Sequence, residues 1–117
     1  MQESVKLIVF VPEGAVESVR LALAAAGAGR IGDYDHCCFV THGTGHFRPL
    51  DSASPHIGRK GDIAEVAECR LETVVAGERL PAVLEALRAS HPYEEVAYDL
   101  IPLLNHRYTH LVPKIPR

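Results

Sequence analysis

The 117 residues, 47% apolar and 23% charged, suit a single domain that can bury a core without disulfides or a structural metal. The formal net charge of -3 offers no basic field to a phosphate backbone, which argues against nucleic acid. No window reaches the roughly 18–20 unbroken apolar residues of a membrane helix, so no membrane partner is expected.

Ser4 to Pro12 (SVKLIVFVP) is a nearly continuous run of β-branched and apolar side chains ended by proline, the pattern of a central strand. From Glu13 the period changes: Val16, Val19, Leu23 and Ala26 share one helical face, and Gly27 stops the helix. A second strand is predicted over Tyr34 to Thr41. Beyond it, residues 43–62 carry so much Gly, Pro and Ser that they read as a long loop, of a length that in a small domain is usually functional, disordered or an oligomer arm. Glu65 to Ala76 alternates cleanly, with Cys69, Leu71, Thr73 and Val75 on one face and Glu68, Arg70 and Glu72 on the other. Gly77 turns the chain into a helix with Leu80, Val83, Leu84 and Leu87 on its buried stripe and Pro81 in its first turn. It ends before His91-Pro92, because a residue preceding proline leaves the α region. Glu95 to Ile101 is the last expected strand, closed by Pro102.

The order is β-α-β, long loop, β-α-β, which predicts an α+β ferredoxin-like sandwich: a four-stranded antiparallel sheet with both helices on one face. Residues 1–103 form this domain and 104–117 a C-terminal extension. The uncovered sheet face leads us to expect a homo-oligomer. The three cysteines, Cys37, Cys38 and Cys69, form neither an even disulfide set nor a CxxC pair, which fits a reducing, cytoplasmic setting.

Three stretches, VPEGAVESVRLALAAAGAGRIGDYDHCCF, GTGHFRPLDSASPHIGRKGDIAEVAECRLETVV and HPYEEVAYDLIPL, together resemble the YqfO-type, PII/CutA-like insert domain of Nif-three-like proteins, over roughly Lys6 to Leu103. The resemblance implies a fold related to the trimeric PII and CutA proteins, and hence a trimer. In full-length relatives the insert is flanked by two halves holding a dinuclear metal site. Those halves have no counterpart in this sequence, so the insert is expected to stand alone and hydrolase activity does not carry over.

Four constellations carry possible chemistry. His91, Tyr93, Glu94 and Glu95, with Tyr98 and Asp99 after them, place an imidazole, carboxylates and phenols at a helix-to-strand junction, fit for a cation or for acid-base work, or simply for setting a turn. Glu68, Arg70 and Glu72 are either a solvated ion-pair ladder or a polar recognition face in an oligomer cleft. Gly43, Thr44, Gly45 and Phe47 offer backbone N–H groups that can nest an anion, although no P-loop lysine follows. His42, His46 and Cys38 are raw material for a divalent transition metal, in no fixed zinc spacing. The expected function is a non-enzymatic oligomeric module with a regulatory, small-ligand or metal-sensing role, seated where the glycine loop meets the HPYEE junction. A domain that docks a protein partner without ligand, or a metal-dependent hydrolase, are the alternatives.

Overall fold

The computed structural model describes residues 3–108 and 111–112. The elements are β1 (Ser4–Pro12), α1 (Val16–Ala25), β2 (Cys38–Phe47), β3 (Ala64–Ala76), α2 (Leu80–Ser90), β4 (Tyr98–Leu103) and a short α3 (Asn105–Tyr108), with single 3-10 turns leading into α1 and α2. The strands make one sheet in the order β2-β3-β1-β4, antiparallel at every pairing. This is the ferredoxin-like sandwich that the element order predicts.

The apolar run of β1 puts it at the centre: Leu7, Val9 and Val11 are fully buried and pair with Thr73, Leu71 and Cys69 of β3. Above that face lie Val19 and Leu23 of α1 and Val83 and Leu87 of α2, joined with Val75 in one cluster. Each such side chain removed from water contributes on the order of 1.5–3 kcal/mol. Gly27 ends α1 with φ at 112°, which lets the amides of Gly27 and Ala28 close on the carbonyls of Ala24 and Leu23. The connection to β2 is pinned at Gly29, whose amide donates to Val74 and whose carbonyl accepts from Cys37. A Cβ there would lie 2.6 Å from the Cys37 carbonyl oxygen.

Two strands have boundaries that differ from the sequence prediction. The second strand begins at Cys38 and runs on to Phe47, so Gly43, Thr44 and Gly45 are ladder residues facing Glu68, Ala67 and Val66 and do not form a loop nest. Their small size suggests turns, but a full antiparallel partner supplies the hydrogen bonds that hold glycine extended. The loop therefore starts at Arg48 rather than at residue 43. The last strand covers Tyr98–Leu103 and contains Pro102, a placement open to an edge strand, while Glu95 to Ala97 stay in the preceding loop. The lengthened β2 and β3 form an arm that stretches the domain to 55 × 25 × 22 Å. Of the expected C-terminal extension, Asn105–Tyr108 is helical and His106 is half-buried; His110 lies outside the described residues.

Candidate functional site

Pro92 forces the chain out of α2, and the residues that follow become a bracket between the sheet and the arm. His91 is 6% exposed, takes extended backbone at the end of α2, and uses both ring nitrogens locally. Its Nδ1 accepts the Tyr93 amide at 3.1 Å and Nε2 donates to the Phe10 carbonyl at 2.8 Å, which fixes the neutral Nε2–H tautomer. Burial pushes its pKa below the ordinary histidine value, opposed by the Phe10 carbonyl and the charge of Glu68. The other end of the bracket is tied to the same residue, since the Phe10 amide donates to the Ala97 carbonyl at 3.1 Å.

Between those ties, Tyr93 reaches the arm. Its hydroxyl donates to Glu68 Oε2 at 2.8 Å and its ring lies 5.9 Å from the ring of Phe47. Burial, then the bond to Glu68 and its charge, drive the phenol pKa well above the ordinary tyrosine value, so Tyr93 is a fixed neutral donor. Glu68 in turn rests over Gly45, where a Cβ would lie 1.9 Å from Glu68 Oε1. Glu94 accepts the Ser54 amide at 2.7 Å, fastening the loop after β2 to the bracket. A cleft of about 580 Å³ opens between them, within the usual size of small-molecule sites. The arm and its loop contribute Phe47, Arg48, Leu50, Pro55, His56 and Glu68, and the bracket contributes Tyr93, Glu94 and Glu95.

Of the sequence-derived candidates, Phe47, Glu68, Tyr93, Glu94, Glu95 and His46 line this cleft. His91 stands behind it as the support of Tyr93, and Gly45 is the notch for Glu68. Gly43 and Thr44 are exposed on β2. Arg70 and Glu72 are elsewhere on the sheet face, paired at 3.4 Å, with Arg70 6.0 Å from the centre of the Phe10 ring. Tyr98 is on β4, 44% exposed. The metal set is dispersed: four residues along a strand separate side chains by about 13 Å, so Cys38, His42 and His46 do not share one ion. His42 instead meets buried Cys69, Nδ1 to Sγ 3.3 Å, and His46 pairs with Glu65 at 3.1 Å. Among the described residues no group of three or more His, Cys, Asp or Glu converges. The sequence marks the loop as a whole without separating Arg48, Leu50 and Pro55 within it; the signal available is the apolar punctuation of FRPLDSASPHI by prolines.

Sheet order, helix placement and projecting arm define a ferredoxin-like domain of the CutA and PII kind. The divalent cation tolerance protein CutA1 of Thermus thermophilus superposes with a TM-score of 0.63 at 20% identity, over 92% of each chain, a likeness of fold. No family model matches the chain. It is 53% identical over 98 residues to the GTP cyclohydrolase 1 type 2 homolog of Bacillus subtilis, covering 84% of this chain and 26% of that protein. Its identity to the protein of the same name from Mycobacterium tuberculosis is 48% over 99 residues, covering 85% and 26%. The solved structure of a Bacillus cereus protein related to NIF3 superposes with a TM-score of 0.78 at 44% identity, over 89% of this chain and 26% of that one. The chain is therefore homologous to a CutA-like domain within these NIF3-related proteins, and it spans about a quarter of the length of the curated relatives it matches.

Proposed function

We propose that this domain is a non-enzymatic, homo-oligomeric regulatory module that binds a small effector in the cleft between the arm loop and the HPYEE bracket. The observation that carries the proposal is the cleft itself: a space of about 580 Å³ between the bracket and the arm with its loop, which touch through Tyr93 on Glu68 of β3 and Glu94 on the Ser54 amide. A ligand that differentially contacts such paired loops shifts their arrangement, and the arm transmits the shift away from the core. The cyclohydrolase of the relatives' name describes proteins of which the matched region is 26%, and this domain is not assigned that activity. The fold likeness to CutA1 and the open sheet face favour self-association, with a trimer as the proposed size.

Native mass spectrometry of the full chain, combined with a thermal-shift screen of small metabolites, tests this. A trimer with a binder whose stabilisation disappears in Phe47→Ala is expected. A monomer, or a binder indifferent to Phe47→Ala, would overturn the proposal. A second reading is favoured by the exposed apolar side chains of the sheet, with Phe39 67% and Ile101 46% exposed: docking of a protein partner on that face, which predicts that Phe39→Ser abolishes partner capture and leaves effector binding intact.

A further inference from the structure

Resting on the cleft as a ligand site, the geometry points to its ligand class: a compact cation bearing N–H donors, an ammonium or guanidinium group, seated on Glu68 beside the contacting rings of Phe47 and Tyr93. Three independent features converge on this class.

The first is a prepositioned carboxylate. Glu68 is held from two sides, by the Tyr93 hydroxyl on Oε2 and by the Gly45 notch beneath Oε1. An ionised carboxylate offers about four acceptor positions, and the phenol fills one of them. The strongest complement for the remaining positions is a charged N–H donor, whose bonds to a carboxylate are about twice as strong as neutral ones. Because Glu68 is already ordered by its neighbours, less side-chain freedom is lost when a ligand arrives.

The second is the aromatic pair. Phe47 and Tyr93 are tilted at 59° with centroids 5.9 Å apart, and both line the cleft beside Glu68. Ring faces attract cations, by about 0.5–2 kcal/mol depending on desolvation.

The third is charge balance. Glu68, Glu94 and Glu95 line the cleft against a single guanidinium, Arg48, alongside the imidazoles of His46 and His56. An anionic ligand would bring its charge against three carboxylates. It would also find the Tyr93 hydroxyl already committed.

The test is a titration of the full 117-residue chain by two-dimensional ¹H–¹⁵N spectroscopy, with agmatine as the cationic probe and pyrophosphate as the anionic one. Agmatine is expected to shift the amides of Gly45, Phe47, Ser54 and Tyr93. Glu68→Gln, which preserves shape, should raise its Kd by about tenfold or more, the loss expected for a charge-assisted hydrogen bond. Asp62→Asn, which removes an equal charge from the exposed loop outside the cleft lining, should leave the Kd within about twofold. Should Glu68→Gln disturb the amides of Leu23 and Leu71 in the core, Tyr93→Phe serves in its place, freeing Glu68 of its holding bond, with a weakening of several-fold expected. Pyrophosphate shifting these amides while agmatine leaves them still would overturn the cation class and leave the cleft standing as a ligand site. If neither probe moves them, both fail. Agmatine binding equally to wild type, Glu68→Gln and Tyr93→Phe would overturn the seating on Glu68.

Discussion

The helix-covered core and the arm-and-bracket cleft are built from the same sheet but held by different forces. In the core, Leu7, Val9, Leu23, Leu71 and Val83 are 0–2% exposed and each is enclosed on every side, so stability is shared among many non-directional contacts. In the cleft, single directional bonds carry the architecture: His91 to Phe10, Tyr93 to Glu68, Glu94 to the Ser54 amide. The core resists change through redundancy, while the cleft can be rearranged by losing one bond. That is the property a responsive site needs, since such sites are drawn from the less stable parts of a structure.

Substitutions break the comparison on either side. Leu71→Ala leaves a cavity at the meeting of sheet and helices and should lower stability by about 2–5 kcal/mol, read from the urea midpoint with an unchanged slope. Gly29→Ala follows, with positive φ of 80° and a Cβ 2.6 Å from a carbonyl oxygen; backbone strain of about 1–3 kcal/mol is expected in the same assay. Tyr93→Phe removes one hydrogen bond to a half-buried carboxylate and should cost about 1 kcal/mol globally, yet it should change the amide spectrum of residues 48–57. A core substitution that altered those amides while sparing the midpoint would erase the distinction.

Acid acts on the cleft through His91. The pKa of His91 is lowered in the fold, so the unfolded chain binds more protons and stability rises with pH across that interval. Its contribution is complete above the ordinary value of 6.5 and declines as pH falls below it. Glu68 on β3 and His56 on the arm loop are the charged and titratable groups that act on it. Urea midpoints measured between about pH 8 and pH 5 should fall in wild type and fall less in His91→Gln. The smallest effect belongs to the surface ion pair of Glu85 with Arg88: Glu85→Gln should leave the urea midpoint unmoved, as exposed pairs do.

Most of the core can be read from the chain, because burial follows period. The alternation of Cys69, Leu71, Thr73 and Val75 and the helical spacing of Val83 and Leu87 point to the side chains that are buried. Proline marks the end of α2 for a local steric reason, and the structure has that end at Ser90. The end of β2 is not legible, since His42 to Phe47 owes its extended shape to pairing with Ala64 to Cys69, a contact between distant residues that no local pattern encodes. The cleft is legible in part. The HPYEE junction and the glycine segment stand out by composition, but that Gly45 serves as a notch under Glu68 emerges only once both strands are in register. Cys38, His42 and His46 are neighbours in sequence, and a strand spreads such residues apart.

Amide hydrogen exchange of residues 48–57, compared between wild type and Tyr93→Ala, tests most directly whether the bracket holds the cleft. In wild type the Ser54 amide, bonded to Glu94, should be protected. In Tyr93→Ala that protection should fall while the amides of β1 and β3 within the core exchange as before. Unchanged protection at Ser54, or a loss spread evenly through the sheet, would contradict the coupling of bracket and loop on which the proposed ligand site depends.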